Sequence, residues 1–237
     1  MAQIWAISLK ELKAYFASPI AYVVTAMFLL ISGYFFAMIL AYGKDAGMMR
    51  YLFGNMSVIL LLITPLFSMR LFAEEQKNKT LELLMTSPIS DAGIVLGKFL
   101  ATALLLLIML LTTAHFPILL LVLGKPDLMP ILTGYLGMFL MGCAFLAIGM
   151  LTSTWTQNQI VAAVSSFSIS LLLWFLGASG SLAGAELGAL MTYVSLNTHF
   201  ESFSKGVLNS SDLIYYFSVI GILLFVTVRS LETRRWR

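Results

Sequence analysis

An all-α integral membrane fold with six crossings is predicted by three features of the sequence. Hydrophobic residues make up 60% of the chain and charged ones only 11%, whereas a soluble domain carries about 25% charged residues. Apolar runs of about 20 residues recur, each long enough to cross a hydrocarbon layer about 30 Å thick. Those runs, such as LATALLLLIMLLTTAHFPILLLVL from Leu100, lack the dyad alternation of a membrane β-barrel. The net charge of +3 is small and scattered, which argues against nucleic acid as a partner. Cys143 is the single cysteine, so no intrachain disulfide can form.

Residues 1–18 form an amphipathic interfacial helix. At about 100° per residue, Trp5, Leu9, Leu12, Tyr15 and Phe16 gather on one side and Lys10 and Lys13 on the other. Such a helix lies in the headgroup plane with its lysines toward anionic lipid, so Trp5, Lys10 and Lys13 are its membrane-surface anchors. Two roles stay open for it, passive anchoring and an active part in transmitting motion. The lysines in the middle of this stretch also argue against a signal peptide.

Six spans follow, at Pro19–Ala41, Leu52–Phe72, Ile94–Leu123, Leu128–Leu151, Ile160–Leu176 and Leu213–Val228. Pro117 kinks the third near its outer end and Pro65 kinks the second, because proline removes a backbone hydrogen bond. Residues 177–211 form an outer segment whose glycine-rich start can dip back into the membrane. Lysine and arginine set the orientation. One side holds Lys10, Lys13, Arg70, Lys77, Lys79, Lys98, Arg229, Arg234, Arg235 and Arg237, and the other only Lys44, Arg50, Lys125 and Lys205. Both termini are therefore expected in the cytoplasm, with residues 70–93 as a cytoplasmic loop.

The span middles contain no Asp, Glu, Lys or Arg, which argues against a proton-coupled carrier. His115 is more readily a packed residue than a relay. No P-loop occurs, since Gly43-Lys44, Gly97-Lys98 and Gly124-Lys125 are followed by Asp, Phe and Pro. If transport is driven, the energy must come through contact with another chain.

The loop RLFAEEQKNKTLELLMTSPISD, from Arg70, is where that chain is expected to press. Glu74 and Glu75 sit about a turn below the membrane, and Asn78 or Thr80 caps a new helix. Leu81, Leu84 and Met85 make one apolar stripe while Glu82 faces elsewhere, and Pro88 stops the segment. A short helix of this kind, held between two spans, offers a stripe to a groove and acids that fix the register. The same pattern also suits a loop resting on lipid headgroups.

FAEEQKNKTLELLMTSPISDAGIVLGKFLA resembles the signature of ABC-2-type transporter permeases, also called type V exporters. Glu74, Glu75, Thr80, Leu81, Glu82, Leu83, Leu84, Pro88, Gly97 and Lys98 match it. Lys79 stands where that family usually has glycine, and Gln76 where a basic residue is common. The resemblance covers the whole length, 1–237, as one transmembrane domain. The tail HFESFSKGVLNSSDLIYYFSVIGILLFVTVRSLETRRW is similar to the gliding-motility-type subgroup. The resemblance implies an export permease of the bacterial cytoplasmic (inner) membrane that pairs with a second permease subunit, identical or homologous, and docks on two ATPase subunits. ATP and Mg would bind those ATPases, and this chain would hold no cofactor and do no catalysis. Glu74, Glu75, Thr80, Leu81, Glu82, Leu83, Leu84 and Pro88 would form the docking element. A periplasmic or membrane accessory protein would find room at the outer segment.

Two rivals make different forecasts. A passive channel or secondary carrier would work as an isolated chain. A rhomboid-like serine protease would use Ser179 in GASG with His115 or His199 as its base, which needs a contact of about 3 Å. For the permease seam, Gly142 and Gly149 share a face of the fourth span, and Gly184 and Gly188 lie in the outer segment. In related permeases the first, second and fifth spans line that seam, which speaks against Gly142.

Overall fold

The chain's computed structural model describes residues 2–42, 48–85, 89–123, 127–180 and 184–235, the side chains at 2, 42, 83–85, 185 and 234–235 excepted. Every regular element among them is helical. In order these are α1 (Ala2–Ala17), α2 (Pro19–Tyr42), α3 (Met48–Ser68), α4 (Arg70–Lys77), α5 (Thr80–Met85), α6 (Asp91–Thr112), α7 (His115–Leu123), α8 (Leu128–Ser153), α9 (Gln159–Ser179), α10 (Ala185–Val194), α11 (Leu196–Ser204) and α12 (Ser210–Arg235). Six stretches are long and apolar enough to cross a membrane, the second made of α3 with α4 and the third of α6 with α7. They coincide with the six expected spans, with the second extended to Lys77.

The crossings are unequally buried. The second, third and fourth pack as a central trio, while the first and fifth leave most of their surface outward. α8 is the axis of the trio, and its glycines are where neighbours enter. A Cβ on Gly134 would collide with the ring of Phe53 from α3. One on Gly137 would lie 2.6 Å from Phe203 of α11, and one on Gly142 would lie 2.6 Å from Leu106 of α6. Gly149 sits against Ser68 of α3. Gly142 and Gly149 thus serve contacts within the chain. Gly188 likewise abuts the backbone of Gly180 in the same chain.

The prolines act differently from one another. α3 continues as helix through Pro65, and the interruption falls at Met69, between α3 and α4. Pro117 does break the third crossing. With no N–H at 117, the Thr113 carbonyl loses its usual partner. Tyr135 of α8 donates its hydroxyl to that carbonyl at 2.9 Å, and Phe116 closes a tighter turn to it at 3.0 Å. The break at Thr113–Ala114 is therefore a satisfied one.

α1 carries two apolar stripes rather than one. Trp5, Leu9 and Phe16 are exposed as expected of a lipid-facing edge. Tyr15, expected beside them, turns inward onto Phe67 of α3, as Ile7 and Ser8 turn inward onto α6. The difference lies in spacing: Ile4, Ile7, Ser8, Glu11 and Tyr15 form a second helical stripe that overlaps the first.

Candidate coupling site

The contact of α1 with α6 rests on Gly97. A Cβ there would lie 2.8 Å from Ile7 and 3.1 Å from the Ile4 carbonyl, so only glycine lets α1 approach so closely. Ser8 confirms the register by donating its hydroxyl to the Gly97 carbonyl at 2.8 Å.

Next to that glycine lies the principal electrostatic feature of the molecule. Lys98 is 1% exposed, and a buried ammonium is tolerable only when paired and hydrogen-bonded. Its Nζ donates to Glu11 Oε1 of α1 at 2.9 Å and to Glu75 Oε1 of α4 at 2.8 Å. It also lies 5.4 Å from the centre of the Phe72 ring, within the range of a cation–π attraction. One cation thus ties together three helices that are far apart in sequence.

A second set of contacts surrounds the first. Arg70 pairs with Glu74 at 3.1 Å, donates to Ser18 at 3.3 Å and lies over the ring of Tyr15. Tyr15 donates its hydroxyl to the Phe67 carbonyl at the end of α3 at 2.7 Å. Burial, reinforced by the Glu11 carboxylate, holds that hydroxyl above its usual pKa, so it stays a donor. Gln76 donates to the Ser153 and Thr154 carbonyls and pins α4 to the C-terminal end of α8. A groove of about 220 Å³ lies between α1 and α4, lined among others by Lys10, Glu11, Arg70 and Glu75.

Beyond α4 the chain turns sharply at Asn78 and Lys79. Lys79 has φ +57°, in the left-handed region that glycine enters freely and other residues enter at a cost. α5 then begins at Thr80, whose hydroxyl donates to the Glu75 carbonyl. Ser90 caps α6 by accepting from the Gly93 N–H at 3.1 Å.

The expected docking residues therefore divide. Glu82 and Thr80 are exposed, and Glu74 is partly exposed while paired to Arg70. Glu75 faces inward onto Lys98, and Leu81 is buried against the chain's own core. The side chains of Leu83 and Leu84 and the whole of Pro88 lie outside the described residues. Trp5, Lys10 and Lys13 are all exposed. Sequence reasoning missed Glu11 and Gln76. For Glu11 the signal was its place on the second stripe of α1, whereas Gln76 offered none, because its partners are backbone carbonyls.

At the opposite end His199 is held by Asp212, 2.6 Å from Nδ1, and by the Tyr193 carbonyl, 2.9 Å from Nε2, and it stacks on Tyr215. Both ring nitrogens are engaged away from Ser179, whose hydroxyl turns back to the Phe175 carbonyl. His199 is thus no base for Ser179, and the other candidate, His115, is bound through Nδ1 to the Thr112 carbonyl at 2.7 Å. Among the described residues no cluster of His, Cys, Asp and Glu could hold a metal ion.

Comparison with protein families gives one match: the model of the family described as ABC-2 family transporter protein covers residues 5–231. None of the curated proteins compared with the chain matches it.

Proposed function

We propose, from the premise that this chain belongs to the ABC-2 family of transporter proteins, that it is the permease subunit of an ATP-driven exporter worked by separate ATPase chains. It is a multi-pass membrane protein and the membrane component of such a transporter. In our reading two permease subunits, identical or related, sit on two ATPases that carry ATP and Mg, in a bacterial inner membrane with both termini in the cytoplasm. By its resemblance, we read the tail from His199 as that of the gliding-motility-type subgroup.

The observation that carries the reading is the Lys98 node. The exposed bend at α5 follows α4 directly, and α4 is clamped through Glu75 to α6 and, through the same ammonium, to α1. A push on the bend cannot move α4 alone. It shifts the second crossing, the third crossing and the surface helix together. Glu82, exposed at the tip, is the side chain best placed to meet the ATPase. Leu81 supports α5 from beneath and is not free to fill a partner's groove.

The test is co-purification from mild detergent. The wild-type chain is expected to bring a P-loop ATPase with it, and Glu82→Arg to lower that recovery at least tenfold while the detergent-solubilised fold stays intact by thermal unfolding. Full recovery with Glu82→Arg would remove the docking assignment. Directed transport by the chain alone, without nucleotide, would favour the carrier.

A further inference from the structure

The inward edge of α9 is built of the buried Ala162, Ser166 and Ser170 and the half-buried Trp174, four apart and so on one face. Its outward side carries Ile160, Val161, Val164, Leu172 and Phe175. Ser166 and Ser170 are both 0% exposed, and their hydroxyls, like the shielded Trp174 Nε1, have no hydrogen-bond partner. Small residues at a helix contact are ordinary, because they let helices approach. Alanine would do that equally well and leave nothing unmatched. Three unmatched polar groups in line, inside an apolar layer, each cost free energy. Their presence points to a second arrangement in which they are matched.

The stripe faces α3 and α8. Ser166 lies beside Gly149, where a Cβ would come 2.9 Å from its Oγ. At the outer end the stripe reaches Ser195, which donates to the Trp174 carbonyl, and Thr198, which lies against Gly177. It then opens into a hollow of about 910 Å³ bordered by Thr192, Tyr193, Thr198 and His199. That size lies in the range of about 300–1,000 Å³ typical of small-molecule sites. α9 carries no Asp, Glu, Lys or Arg at all, so a charged group moving along it would meet no counter-charge on this helix.

We propose that the contact of α9 with α3 and α8 opens during the transport cycle. Ser166, Ser170 and Trp174 then hydrogen-bond the uncharged, hydroxyl- or amide-bearing head of an amphipathic cargo, while its tail stays among apolar side chains. The proposal rests on the transporter reading above and adds the route and the kind of head.

The experiment is cysteine labelling in membranes of cells that make the full chain with its ATPase. Ser166→Cys and Ser170→Cys are placed separately in a Cys143→Ser background and exposed to a small methanethiosulfonate reagent. The expected result is labelling at least fivefold faster with Mg-ATP, or in a vanadate-arrested state, than without nucleotide. Phe145→Cys, deep in α8, stays unlabelled throughout. Octyl glucoside below its micelle concentration is expected to slow the ATP-dependent labelling severalfold, and octyl sulfate is not. Equal burial of both cysteines in every nucleotide state would overturn the opening. Protection by octyl sulfate, or by neither compound, would overturn the assignment of the head.

Two controls separate this from the underlying function. If a Lys77→Cys reporter, exposed at the start of the bend, changes with nucleotide while positions 166 and 170 never label, only the route fails. If no ATPase accompanies the chain and the bend reporter is indifferent to nucleotide, the transporter reading itself fails. The double variant Ser166→Ala/Ser170→Ala, which keeps the packing, is expected to unfold at the same or a higher temperature while losing the glucoside-sensitive signal at a reporter placed at Ala162→Cys. Retention of that signal would mean the serines serve packing alone.

Discussion

The two ends of the molecule each bury an ionisable cluster, and they differ in what they join. At the end that carries α4 Lys98 links residues 87 and 23 positions away, on α1 and α4. At the opposite end His199 reaches Asp212, 13 positions along, and the Tyr193 carbonyl, 6 positions back. The first cluster couples separate helices, so that none moves without the others. The second only closes a local loop onto the start of α12. The Lys98 cluster also has two carboxylates for one cation, whereas the His199 cluster is a single pair. Loss of Lys98 would therefore leave two carboxylates facing each other.

Breaking that asymmetry should give the largest effect. Lys98→Met strands Glu11 and Glu75, and a buried pair broken from one side costs about 3–5 kcal/mol. Thermal unfolding in detergent should show this loss, and adding Glu11→Gln and Glu75→Gln to the same variant should recover most of it. If the triple variant is no better than Lys98→Met, the cluster is not electrostatic in origin. At the opposite end Asp212→Asn removes one charged hydrogen bond, worth about 1.5–3 kcal/mol. It should lower stability without changing ATPase recovery, and a fall in recovery would contradict the local role given to that cluster. Tyr135→Phe leaves the Thr113 carbonyl with the tight-turn bond alone and should cost about 1 kcal/mol. The smallest effect sharpens the comparison from the coupling side. Lys79→Gly relieves a left-handed residue, worth about 1–2 kcal/mol, against a chain-entropy cost of about 0.5–1 kcal/mol. A net gain of up to about 1.5 kcal/mol in unfolding stability is expected, and a loss would show that the lysine side chain itself is needed.

Length and hydropathy alone made the six crossings legible, since a span needs only a long apolar run and a suitable flank. The bend after α4 was legible too, from its break in hydropathy and its turn residues. The direction of each side chain within it was not. Glu74 and Glu75 are adjacent and identical in type, yet one meets a half-buried arginine and the other a fully buried lysine. What decides between them is Lys98, placed beside α4 only by the packing of α6 against its neighbours. The burial of Leu81 in the chain's own core was illegible for a related reason, because an amphipathic stripe says that a face is apolar and not which body covers it. The serines of α9 were silent, since a hydroxyl in a membrane helix normally satisfies itself on its own backbone.

The break at Thr113 has a consequence for where the protein can reside. The third crossing spans 33 residues, about 50 Å of helix at about 1.5 Å per residue, against a bilayer interior of about 30 Å. A single straight rod of that length must tilt or distort the lipid around it. Here α7 can change its lean relative to α6 at a joint whose free carbonyl is already served by Tyr135. Thin and thick bilayers can thus be accommodated by one outer segment, while the central trio keeps its packing.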